Sequence, residues 1–110
     1  MDPDICNTAL KISLQWGPER STPFKTRLAE ARPGISDRDI EALEKQSHEV
    51  ESAAWGSVVE HMKAHGMKDA PAREAWERPL LAKWPWLDDD KLAMLWTQGC
   101  YYAWHDGELT

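Results

Sequence analysis

The sequence predicts an all-α fold, an irregular bundle of about five helices with the C-terminal helix at its centre. Three observations lead there. Apolar residues recur at helical spacing along most of the chain. Asp, Ser, Pro and Gly divide it into five runs with recognisable starts and stops. No run shows the alternation and β-branched content of a strand. A chain of 110 residues reads as a single helical domain, 1–110, because domains most often run about 100–150 residues.

The first helix is expected over about residues 3–16. Asp2 is a good N-cap, Pro3 suits the first helical position, and Gly17-Pro18 stops the run after Trp16. Ile5, Ala9, Ile12 and Trp16 mark its apolar face, with Leu10 and Leu14 beside them. The second helix, about 23–32, is framed by Ser21-Thr22-Pro23 and Arg32-Pro33-Gly34, with Phe24, Leu28 and Ala31 inward. Ser36 then caps a third run that ends at Gly66, with Asp37 and Asp39 favoured by the dipole of its first turn. At 1.5 Å per residue its roughly 29 residues reach about 43 Å. Ile40, Leu43, Val50, Ala54, Val58 and Met62 form its buried face, and Gly56-Ser57 is its weak point.

Asp69-Ala70-Pro71 opens the fourth helix. Pro79 lacks an amide and crowds the preceding turn, so a break is expected near Arg78, then a short piece through Trp84. Pro85 extends the chain at Trp84. Asp88 caps the fifth helix, about 89–105, which stops at Gly107. Small residues at Gly99 and Ala103 invite another backbone, and the third helix offers Ser52-Ala53-Ala54 and Gly56-Ser57. The two are expected to cross near Ala54 and Gly99.

Charge narrows the function. The formal net charge is −6, about +1 over residues 1–36 and about −7 over the rest. Affinity for phosphate needs clustered Lys and Arg, so neither nucleic acid nor an anionic membrane is an expected partner. No stretch approaches the roughly 20 apolar residues of a membrane span. The start MDPDIC lacks the basic and apolar regions of a secretory signal, and a cytoplasmic location is expected. Cys6 and Cys100 sit in no metal or redox motif and are expected as free, buried thiols.

No grouping of residues announces catalysis or a cofactor, and the expectation is a protein that is not an enzyme. His61 and His65 lie four apart, the spacing that puts two metal ligands on one helix face. A third ligand is missing: Glu60 points away, Glu51 lies almost three turns upstream, and the Glu of a HExxH site is absent. The two are expected to be structural, with a metal-binding protein or metal-dependent enzyme as the alternative. Glu44, His48 and Glu51 follow at spacings of four and three, which reads as a solvated edge. Asp88-Asp89-Asp90 lacks the alternation of a calcium loop and reads as capping. Arg20, Lys25, Arg27 and Arg32 gather around the second helix, but the helix that would enter DNA is acidic.

Seven tryptophans are the loudest feature of the composition. Most fall on apolar helix faces and belong to the core. Trp84 and Trp86 flank Pro85 outside regular structure. From Leu92 to Trp104 the chain carries no charge and is apolar around the helix axis, the pattern of a helix buried on all sides. If its neighbours leave one side uncovered, Met94, Tyr101 and Trp104, with Trp84 and Trp86 nearby, form an exposed apolar patch of the kind that binds partners. The expected function is a small acidic protein-interaction module: an adaptor, an inhibitor or immunity-type protein, or an assembly subunit. Its partner is expected to be another protein or a second copy of the chain.

Overall fold

In the computed structural model, residues 2–15, 22–65 and 70–105 are described, and side-chain surroundings are described for these except 59, 62–65, 70–72 and 103–105. Five helices follow in order: α1 Pro3–Leu14, α2 Phe24–Ala31, α3 Asp37–His65, α4 Ala70–Lys83 and α5 Asp89–His105. No strand occurs among the described residues, and the fold is all-α. Also among these residues, no helix is long and apolar enough to cross a membrane. The helices gather into two compact units, residues 1–49 and 50–110, and α3 runs through the boundary.

In the first unit, Asp2 caps α1 by accepting from the Asp4 amide at 2.8 Å. Cys6, Ala9, Leu10, Ile12 and Leu14 are buried. The helix ends at Leu14, and Gln15 is already extended. Trp16, Gly17, Pro18 and Arg20 lie outside the described residues. Against α1 packs α2, whose Arg27 Nη1 donates to the Ile12 carbonyl at 3.1 Å. That carbonyl lies in the last turn of α1 and also accepts from the Gln15 amide at 3.4 Å. Of the three α2 residues expected inward, only Leu28 is buried; Phe24 is half-buried and Ala31 exposed. Phe24 and Ala31 are the first and last residues of α2, and only the middle of its inward stripe is covered. Gly34, with φ 88°, turns the chain toward α3 in a left-handed conformation that favours glycine. Ser36 Oγ accepts from the Asp39 amide at 3.1 Å, and Ile40, Leu43 and Ser47 are buried.

The second unit holds the rest of α3 with α4 and α5. Its interior is built from Val50, Ala54, Val58, Trp76, Leu80, Trp84, Leu87, Leu92, Leu95, Trp96 and Cys100. Trp76 is fully buried and donates its indole N–H to the Ala54 carbonyl at 2.8 Å, tying α4 to α3. Its ring centroid lies 5.1 Å from that of Trp96, which ties α4 to α5. Gly99 admits α3: a Cβ placed there would sit 2.6 Å from Val58 Cγ2 and 3.3 Å from Trp55 Cδ1. The close approach therefore spans Trp55 and Val58, beginning next to Ala54. Of the small residues of α3, Ser52, Ala53 and Gly56 are exposed and take no part in it.

Pro79 does not break α4, contrary to the expectation from its missing amide; the helix continues to Lys83. The ring stands on the exposed side, while Trp76 and Leu80 anchor the helix on either side of it. Asp88 caps α5 by accepting from the Lys91 amide at 2.8 Å. Its other oxygen lies 3.5 Å from the Lys91 ammonium, which is buried. Asp69, Gly66 and Gly107, the remaining expected helix boundaries, lie outside the described residues.

Candidate functional site

The buried side of α5 is a stripe, not a full circumference. Lys91, Leu92, Leu95, Trp96, Gly99 and Cys100 are buried, and they fall within about half a turn of the helix wheel. Met94 and Tyr102 are half-buried, Thr97 is exposed, and Tyr101 is 45% exposed. Of the two outcomes left open by the sequence, burial all round does not hold among the described residues of α5: α3 and α4 cover one side, and Thr97 and Tyr101 stand exposed on the other. The side chain of Trp104 lies outside the described residues.

Tyr101 is the large hydrophobic side chain that stands exposed among the described residues. Its position is fixed by a chain of aromatic contacts. Tyr101 meets Tyr102 edge-on, with ring centroids 5.7 Å apart and planes at 69°. Tyr102 meets Trp55 of α3 in the same way, at 5.0 Å and 62°. Edge-to-face pairs of this kind are worth about 0.5–1.5 kcal/mol beyond their buried area. The Trp55 indole N–H is buried without an acceptor among the described residues. Trp55 also packs against Gly99, so the ladder starts at the crossing of α3 and α5 and ends at the surface.

The Trp84-Pro85-Trp86 corner divides. Trp84 is 6% exposed and belongs to the interior, with the Lys83 ammonium 4.7 Å above its ring. Its amide donates to the Leu80 carbonyl at 2.7 Å, and its own carbonyl accepts from Leu87 at 3.1 Å. Those bonds carry the chain around Pro85 and turn Trp84 inward. Trp86 remains half-buried.

The polar groups of α3 are more varied than a solvated edge. His48 is exposed and Glu44 half-buried, but Glu51 is 8% exposed and turned inward. Among the described residues, no three His, Cys, Asp or Glu side chains gather as metal ligands. His61 is half-buried; the side chain of His65 lies outside the described residues. Both cysteines are free and buried, and burial raises the pKa of the Cys6 thiol.

In the first unit, Arg27, Glu44 and His48 line a cavity of about 130 Å³, together with Ile12, Ser13, Gln15, Thr22 and Phe24. The sequence placed Arg27 in one cluster and Glu44 with His48 in another. Only the fold brings them to one cavity, lined from α1, α2 and α3 together. Comparison of the chain with protein-family models, curated proteins and solved structures found no match.

Proposed function

We propose that this chain is a small acidic protein-interaction module, an adaptor, inhibitor or immunity-type protein, or assembly subunit. Its binding face is the outer side of α5, carried by Tyr101 and Met94 with Trp86. The aromatic ladder from Trp55 through Tyr102 to Tyr101 is the observation that carries this reading. An aromatic residue held rigidly at a surface binds at low conformational cost, and Tyr and Trp dominate the energetics of protein interfaces. Free thiols at Cys6 and Cys100 suit a reducing compartment, and we place the protein in the cytoplasm.

The test is sedimentation equilibrium of wild type beside Tyr101→Glu, repeated with any partner recovered by pull-down. Wild type is expected to self-associate or to bind that partner, and Tyr101→Glu to weaken the association while keeping its circular dichroism spectrum. A folded Tyr101→Glu protein with unchanged association overturns the assignment.

A further inference from the structure

The cavity in the first unit gathers polar and charged side chains from separate elements of the chain. Six of its lining residues are polar: Ser13, Gln15, Thr22, Arg27, Glu44 and His48. Arg27 and Glu44 are both half-buried and oppositely charged, yet no ion pair joins them. Arg27 is oriented by its 3.1 Å bond to the Ile12 carbonyl. A guanidinium carries five N–H donors, so that bond leaves others for a ligand. A cation and an anion, each held by its own helix, face one cavity without meeting.

We propose that this cavity binds a small zwitterion, specifically a free α-amino acid. Its carboxylate would sit on Arg27, whose planar fork matches a carboxylate. Its ammonium would sit on Glu44, with His48 as a neighbouring polar group. Size agrees: a water occupies about 30 Å³ in the liquid, so about 130 Å³ admits several waters or one small solute. A wider, more open depression of about 480 Å³ shares Ile12, Gln15, Thr22 and Arg27 and adds Glu30 and Ala31. It leaves room for a ligand side chain, and the acid at Glu30 favours a neutral or cationic one. This site belongs to α1, α2 and the start of α3, and it does not depend on the outer face of α5.

The experiment is a titration of the isotopically labelled full chain by NMR, with L-alanine, acetate and methylammonium as separate probes. L-Alanine is expected to give saturable shifts at Thr22, Arg27, Glu44 and His48 and to bind more tightly than either half-ligand. Glu44→Gln keeps the bond between Arg27 and Ile12, so it tests the site even if substitutions of Arg27 unfold the protein. It is expected to weaken L-alanine about tenfold, the factor that one charge-assisted hydrogen bond carries, and to leave acetate unchanged. Absence of saturable shifts with L-alanine overturns the proposal. So does L-alanine binding no tighter than acetate, or binding that Glu44→Gln leaves unaltered.

Discussion

Gly99 of α5 lies so close to Val58 of α3 that a Cβ on the glycine would stand 2.6 Å from Val58 Cγ2. Val58 is fully buried, and a β-branched side chain in a helix has essentially one rotamer. It has nowhere to move. Alanine at position 99 gains about 1 kcal/mol of helix propensity but meets an overpacking cost of about 1–3 kcal/mol. Gly99→Ala is therefore expected to lower stability slightly and Gly99→Leu to lower it by several kcal/mol. Gly56 gives the control, because nothing lies within 4 Å of a Cβ there. Gly56→Ala should raise stability by about 0.5–1 kcal/mol. Urea unfolding midpoints of the three variants check the contrast, and a stabilised Gly99→Leu would refute the crossing.

The buried indole of Trp76 supports a second prediction. It donates to the Ala54 carbonyl at 2.8 Å, and that oxygen also lies 3.2 Å from Ser57 Oγ. Removing the N–H therefore does not strip the carbonyl of every partner. Trp76→Phe is expected to cost about 2 kcal/mol, from one lost hydrogen bond and the smaller ring. Trp76→Ala should cost about 3–5 kcal/mol and disrupt the unit. Thermal denaturation distinguishes them: Trp76→Phe retains a cooperative transition at lower temperature.

Much of the fold was legible because helix ends are written in local chemistry. Asp2, Ser36 and Asp88 each accept from the amide two or three residues on, as their side chains require. The buried α3 residues Ile40, Leu43, Val50, Ala54 and Val58 follow from spacing alone. What depends on neighbouring elements was not legible. Spacing shows that α5 is apolar all round, but only α3 and α4 decide which side is covered. Glu51 has a polar helical context in sequence and is buried by tertiary packing. The cavity of Arg27 and Glu44 joins residues seventeen apart in sequence, and no local pattern signals that meeting.

Asp88 has two roles that substitution separates. One oxygen caps the Lys91 amide at 2.8 Å; the other lies 3.5 Å from the buried Lys91 ammonium. Asp88→Asn keeps a capping oxygen and loses the charge. Asp88→Ala loses both. Losing an N-cap costs about 0.5–2 kcal/mol, so Asp88→Ala should be the less stable variant. Chemical denaturation of both measures the share of each role, and equal stability of the two would assign the whole effect to charge.

The Cys6 thiol predicts a pH dependence. Burial raises its pKa above the ordinary value. Between the ordinary value and the raised one, the folded state holds the proton that the unfolded state has released. Stability then falls as pH increases. The loss begins above about pH 9 and ends once pH exceeds the raised value. Cys6→Ala should flatten that part of the stability curve. A thiol reagent at neutral pH should label Cys6 slowly in the native protein and quickly in denaturant.

Pro79 carries the last prediction, whose sign depends on two opposing effects. A proline inside a helix removes the hydrogen bond to the residue four back, here Ala75, and typically costs about 3 kcal/mol relative to alanine. Yet α4 continues through it, with Trp76 and Leu80 buried on either side. If those two side chains would pack equally well on a straight helix, Pro79→Ala restores the missing bond and stabilises the protein. If the proline sets the bend that seats both, straightening the helix separates them and loses buried contact. Pro79 itself is exposed and Ala75 half-buried. The interior therefore gains little from the proline, and the first effect should win. Pro79→Ala is expected to raise stability by about 1–3 kcal/mol. The check is thermal unfolding together with the Trp fluorescence of the folded state. An unchanged emission spectrum with a higher midpoint supports the expectation, whereas a lower midpoint with red-shifted emission would show that the bend seats Trp76.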